Sequence, residues 1–229
     1  MSEYFVFVMV NVISFFVRLI ETNMLTALRK TIRDECTSRK HVLRTVSKLL
    51  RAASSECDTV ILVTINKRYG AIECVGGRRK EYVPLLNDEY VVLRTADGCD
   101  LSLIGLSSKG GENIEITSDT VVSQQKKGYN GILRAVAVMI AFVERKPLRS
   151  EISNTLSAYT LMKMFQTTLI GANGETTIFA SPLSAEDSSE AMRESRGGRV
   201  LVRPTVVNLD LATSAFVDAM YKLRCATHR

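Results

Sequence analysis

The sequence predicts an α/β protein, in which short strands form a sheet that is flanked by helices. Three segments rich in β-branched and apolar residues (59–65, 90–94 and 101–106) are separated by Gly, Asn and Asp clusters, which is typical of antiparallel hairpins. The next segment, 113–122, leads into an apolar helix at 131–144, which Pro147 ends. A strand-loop-helix unit therefore follows the hairpins.

The other predicted elements are short and are bounded by capping or turn residues. In chain order they are helices at 24–36 and 40–53, a strand at 148–152, a helix capped by Ser153 or Asn154 and running to Phe165, a strand at 176–180, a polar loop or surface helix at 184–198, a strand at 199–208 and a helix at 209–223. No internal repeat and no linker divides the chain.

Composition indicates a folded, basic, intracellular protein, with the cytoplasm as the expected location. Of the 229 residues, 46% are hydrophobic and 24% charged, and the formal net charge is +6, which suits an acidic partner. The five cysteines are odd in number and form no CxxC pair, so neither a disulfide framework nor a zinc site is indicated. His41 and His228 are the only histidines, so the sequence gives little support for a Ser-His-Asp triad or a histidine-based metal site.

The N-terminal segment is nearly all apolar from Tyr4 to Ile20. It is interrupted by three polar residues, which are Asn11, Ser14 and Arg18. A bilayer-spanning helix needs about 20 consecutive apolar residues, so we expect residues 1–23 to form a strand or helix that packs on a single domain at 24–229. A membrane anchor is the alternative, and Met24 is an alternative start.

The segment between the strand at 113–122 and the helix at 131–144 has the composition of a phosphate-binding loop. Gly128 and Gly131 let a phosphate approach the backbone, and the helix N-terminus offers N–H donors and a favourable dipole. Lys126 and Lys127 add positive charge, and Gln125 can hold the loop's shape. A basic loop with two turn glycines is the equal alternative.

The order of the elements, together with this loop, resembles the GNAT (general N-acetyltransferase) superfamily over roughly residues 60–169. The family's pyrophosphate loop has Gln or Arg, two residues, Gly, one residue, and Gly or Ala. Gln125 and Gly128 match this pattern, whereas Asn130 departs from it and Gly131 follows. The resemblance implies a central mixed, mostly antiparallel sheet flanked by helices, and transfer of an acetyl group from acetyl-CoA to an amine that the sequence does not name.

The resemblance also implies roles for individual residues. The expected cofactor-binding residues are Val121, Val122 and Ser123, whose backbone N–H groups would polarise the thioester carbonyl, Gln125, Lys126, Lys127, Gly128, Tyr129, Asn130 and Gly131 around the pyrophosphate, and Asn154 facing the pantetheine arm. Tyr159 would act as the acid and Glu115 as the base. The spacing of Tyr159 from Asn154 is shorter than in the family, and Leu161 stands where the usual Tyr would fall. A structural tyrosine and a solvated strand carboxylate are the alternatives.

A non-catalytic protein is the second hypothesis, either a nucleic-acid-binding module or a protein-interaction module on a degenerate acetyltransferase fold. Eight cations lie on or directly beside the two helices at 24–36 and 40–53, which are Arg29, Lys30, Arg33, Arg39, Lys40, Arg44, Lys48 and Arg51. Such basic helices suit nucleic acid or another acidic partner. Against direct base recognition, aromatic residues make up only 7% of the chain and tryptophan is absent.

Overall fold

A computed structural model describes ten parts of the chain: 22–53, 60–66, 89–95, 98, 100–108, 111–120, 128–151, 155–171, 174–179 and 198–226. The elements in chain order are α1 (22–30, continued by a π-helical turn over Thr31–Glu35), α2 (Arg39–Ala53), β1 (Val60–Asn66), β2 (Glu89–Thr95), β3 (Asp100–Ser107), β4 (Ile114–Thr120), α3 (Tyr129–Glu144), β5 (Leu148–Glu151), α4 (Thr155–Met164), β6 (Thr167–Ile170), β7 (Thr176–Phe179), β8 (Arg199–Val202) and α5 (Val206–Ala226).

The described strands form one mixed sheet in the order β1-β2-β3-β4-β5-β8-β6-β7. Strands β1 to β4 form an antiparallel meander, and β8 pairs antiparallel with both β5 and β6. The only parallel pair in this sheet of described strands joins β4 to β5, since α3 connects them and returns the chain to the start of the sheet. The predicted α/β class with a mixed, mostly antiparallel sheet is confirmed.

Helix α3 is the centre of the core. Its residues from Ile132 to Ala141 are all buried, although an isolated surface helix would bury only one face. It contacts strands β2 to β5 and also helices α5 and α2. Helix α2 in turn contacts β1, so α2 and α3 pack both against the sheet and against each other.

The start of α5 corrects the prediction of a strand over 199–208. Strand β8 ends at Val202, and α5 begins at Val206. The Thr205 hydroxyl accepts a hydrogen bond from the Asn208 N–H at 3.2 Å, which is an N-cap interaction. Val206 and Val207 favour strands by propensity, yet here they occupy the exposed first turn of a helix, so capping outweighs propensity.

Strand β6 was not expected from the sequence, which loses its clear pattern near Leu169. The strand is four residues long and lies between β7 and β8, so pairing on both sides provides its stability.

The predicted apolar segment at 1–23 lies outside the described residues except for its last two positions, as does the polar stretch at 184–197. Among the helices that the structure describes, none combines the length and apolar character needed to cross a bilayer.

Candidate functional site

The sheet opens between β4 and β5, the two parallel strands. They pair at Ile114 with Leu148 and at Glu115 with Arg149. Beyond these positions β4 continues to Thr120 paired only with β3, and β5 continues to Glu151 paired only with β8, as far as the described residues extend. A crevice at the carboxyl ends of neighbouring parallel strands is a common ligand site in α/β proteins.

The N-terminus of α3 lies at this same end of the sheet, because α3 follows β4 and runs back toward the start of β5. Gly128 precedes the helix with φ +85° and ψ −2°, a left-handed conformation that glycine adopts without strain. No side chain caps this end of the helix, and the first backbone bond inside it joins the Ile132 N–H to the Gly128 oxygen at 3.2 Å. Backbone donors and the helix dipole therefore favour an anion here.

Gly128 also leaves space around the helix N-terminus. It is exposed, and a Cβ built on it would have no heavy atom within 4 Å. At Gly131 the missing side chain instead faces α4, where a Cβ would lie 3.8 Å from Met164 Cε. The two glycines of the predicted loop thus have different surroundings, and only Gly128 adopts a conformation that requires glycine.

These surroundings predict opposite stability effects for two alanine substitutions. Gly128→Ala places a Cβ in the left-handed region and should lower the free energy of unfolding by about 1 kcal/mol. Gly131→Ala removes backbone freedom from a helical position with only an ordinary contact to Met164, and should raise it by about 0.5 kcal/mol. Urea unfolding followed by circular dichroism measures both, and a destabilised Gly131→Ala protein would contradict this packing of α3 against α4.

A buried arginine lies one turn into α3. Arg134 is 1% exposed, and its Nε donates a hydrogen bond to Asn130 Oδ1 at 3.1 Å. Burial lowers the pKa of the Arg134 guanidinium to about 10. A cation buried near the positive end of a helix dipole adds to the positive potential there.

Arg134 was not among the residues predicted from the sequence, although one signal was present. It is the one charged residue within the buried stretch from Ile132 to Ala141. The same hydrogen bond explains Asn130, which departs from the GNAT pattern: its side-chain oxygen accepts from Arg134, one turn along the helix.

Glu115, the predicted base, lies at the other end of β4. Its carboxylate is half exposed and forms an ion pair with Arg149 Nη1 at 3.4 Å, across the pairing of β4 with β5. From Glu115 to Thr120 the strand advances about 17 Å, at about 3.3 Å per residue. The structure therefore does not bring Glu115 to the N-terminus of α3.

The remaining predicted residues are only partly described. Tyr129, Asn130 and Gly131 form the first turn of α3 beside Gly128. Tyr159 lies in α4. Because α4 begins at Thr155, after the carboxyl end of β5, it starts at the same end of the sheet as α3. Outside the described residues lie the other predicted cofactor-binding positions, which are Val121, Val122, Ser123, Gln125, Lys126, Lys127 and Asn154. Among described residues, no group of His, Cys, Asp and Glu side chains could hold a metal ion.

Comparison with known proteins gives a weak structural similarity and no match by sequence. No family model matches the chain, and no curated protein matches it either. Two solved structures align, both mutants of a cAMP-binding acyltransferase from Mycobacterium smegmatis, each 12% identical and covering 83% of this chain, with TM-scores of 0.37 and 0.35. The alignment covers 64% of those neighbours, so this chain spans less than two thirds of their length.

Proposed function

We propose that the chain is an acyltransferase-like protein that binds acyl-CoA in the opening between β4 and β5 and transfers an acetyl group to an amine. One observation carries the proposal: the parallel strands separate after two paired positions, and the uncapped N-terminus of α3 lies at the end where they separate. The GNAT-like order of elements and the loop sequence before α3 support the same function.

The residues at the start of α3 fit a pyrophosphate. Gly128 provides open space and a left-handed backbone, and the first turn from Tyr129 to Gly131 provides backbone donors. Buried Arg134, one turn further along α3, would contribute positive potential, and Lys126 and Lys127 would contribute it from the loop. In this proposal Gln125 shapes the loop and Asn154 contacts the pantetheine arm.

Acetyl-CoA, when bound, supplies an acyl group activated as a thioester. The backbone N–H groups of Val121, Val122 and Ser123 would stabilise charge on its carbonyl oxygen. Glu115 lies about 17 Å from Thr120 along β4, so in this proposal it would accept the proton of the amine through intervening water, and Tyr159 would protonate the leaving thiolate.

Isothermal titration calorimetry with acetyl-CoA tests the cofactor site. We expect saturable binding of the unaltered protein with a Kd that is roughly micromolar or tighter. Gly128→Val should weaken binding at least tenfold, because a β-branched side chain opposes the left-handed backbone and occupies the open space.

A matched control separates loss of the site from loss of stability. Gly174, in the turn between β6 and β7, also has φ +85° and open space around its Cβ position, so Gly174→Val introduces the same strain away from α3. Its binding should equal that of the unaltered protein. Absence of binding by folded, unaltered protein, or equal losses in both glycine variants, would refute the proposed cofactor site.

Arg134→Met provides a second variant of the site. It removes the buried charge and the hydrogen bond to Asn130 Oδ1, so circular dichroism must first establish that the variant is folded; the lost positive potential should then weaken acetyl-CoA binding severalfold. Unchanged affinity in a folded Arg134→Met protein would remove Arg134 from the proposed site.

A further inference from the structure

Helix α2 presents a straight row of four cations to solvent, Lys40, Arg44, Lys48 and Arg51, which we call the α2 row. All four are exposed, and their spacing of four, four and three positions places them on one side of the helix. The opposite side of α2 is buried in the core through Val42, Leu43, Val46 and Leu50. The helix contains no acidic residue, so its exposed side is uniformly positive.

Among the described residues, the α2 row differs from the neighbouring arginines in having no ionic partner. Arg29 pairs with Asp210, Arg33 with Asp34, and Arg39 with Glu89 and Glu144. Within the part of the chain that the structure describes, the four cations of the α2 row form no ion pair and no side-chain hydrogen bond. The sequence predicts a basic surface from eight cations. Three of these cations are paired with carboxylates, whereas the α2 row has no described carboxylate paired with it.

The geometry of the row suits a regular series of phosphates. From Lys40 to Arg51 the helix advances about 16 Å, at 1.5 Å per residue, and side chains four positions apart begin about 6 Å from one another. The exposed positions between the cations carry the His41 ring but no large apolar side chain. The row therefore has nothing to insert into a lipid bilayer, and only the His41 ring and the two guanidinium planes offer a surface to a base.

We propose that the α2 row binds the phosphate backbone of a nucleic-acid duplex, without sequence preference. Phosphates on a duplex are regularly spaced and stay ionised, so they match a rigid row of cations better than the irregular carboxylates of an acidic protein do. Binding releases condensed counterions, so the affinity must fall steeply with salt. This proposal is independent of acyl-CoA binding, which is proposed at the N-terminus of α3.

Fluorescence anisotropy with a labelled DNA duplex of arbitrary sequence, repeated with an RNA duplex, tests the proposal. Between about 50 and 200 mM salt, the logarithm of the binding constant should fall with a slope of about −3 to −4 against the logarithm of salt concentration, as four phosphate contacts require. Lys40→Gln, Arg44→Gln, Lys48→Gln and Arg51→Gln combined keep good helix formers on α2 and should weaken binding at least tenfold.

A second quadruple variant controls for total charge. Arg145, Arg199, Arg203 and Lys222 are exposed and lie outside α2, and replacing all four with glutamine lowers the net charge from +6 to +2, as in the first variant. This control should retain binding within about threefold and keep most of the salt slope. Circular dichroism establishes that both variants are folded.

Three results would overturn the proposal. The first is a salt slope weaker than about −1, which four phosphate contacts do not allow. The second is an equal loss of affinity in the two glutamine variants, since net charge would then explain the binding. The third is binding to polyglutamate or to phosphatidylserine vesicles as tight as binding to the duplexes.

Discussion

Replacing Arg39 with alanine should lower the free energy of unfolding by about 2 to 3 kcal/mol. The Arg39 guanidinium donates to both carboxylate oxygens of Glu144, with Nε–Oε1 and Nη2–Oε2 distances of 2.8 and 3.0 Å, and Nη1 donates to Glu89 Oε2 at 2.7 Å. It also donates to the Ser108 hydroxyl at 3.1 Å. One side chain thus joins the start of α2 to the end of α3, the start of β2 and the end of β3.

The size of this effect follows from burial. The side chains of Arg39, Glu89 and Glu144 are 18%, 20% and 22% exposed, so alanine would leave two carboxylates partly desolvated without their cation. Breaking a fully buried pair costs about 3 to 5 kcal/mol, and the remaining exposure reduces that figure. Burial acts to lower the pKa of Arg39, but the hydrogen bonds that Arg39 donates to Glu144 and Glu89 outweigh it and raise the pKa above its usual value.

Two further substitutions make the measurement specific. Arg39→Lys keeps the charge but not the two parallel hydrogen bonds to Glu144. It should therefore lower the free energy of unfolding by about half as much as Arg39→Ala does. Arg44→Ala, on the exposed side of the same helix, should change stability by less than about 0.5 kcal/mol. Equal unfolding free energies for Arg39→Ala and Arg44→Ala in urea titrations would show that the network contributes no more than a surface charge.

Replacing Asn208 with leucine should lower the free energy of unfolding by about 3 kcal/mol. Asn208 is 1% exposed, and its side chain forms three hydrogen bonds to the backbone. Oδ1 accepts from the Gln166 N–H at 2.9 Å, and Nδ2 donates to the Gln166 and Arg203 oxygens, each at 3.0 Å. These bonds attach the first turn of α5 to the junction between α4 and β6, and to the segment after β8.

Leucine branches at Cγ as asparagine does but leaves those three backbone groups without the bonds they make here, at about 1 kcal/mol or more each. Thr205→Ala is the graded comparison, because it removes only the N-cap bond to the Asn208 N–H and should cost about 1 kcal/mol. Urea unfolding of both proteins gives the two values. A leucine variant no less stable than Thr205→Ala would mean that water satisfies the freed groups.

The candidate site could be predicted in part because its main signals are local. A strand, a loop containing glycine and a helix occupy consecutive residues, so hydrophobic pattern and turn residues indicate the N-terminus of α3 to within two residues and open positions at Gly128 and Gly131, whereas the left-handed backbone of Gly128 is seen only in the structure. Glu115 is the opposite case. Its place on β4 follows from the pattern, but its ion pair with Arg149 depends on the pairing of β4 with β5.

The sequence alone determined the α/β class, most helices and strands, and the cationic composition of α2, because each depends on residues close together in the chain. Only the tertiary structure decided the opening between β4 and β5, the strand β6, and which cations keep their charge exposed. Arg39 meets Glu89 and Glu144, which lie 50 and 105 positions away, whereas the α2 row meets no described carboxylate. Periodicity along the chain carries no information about such partners, since they are brought together by the packing of distant elements.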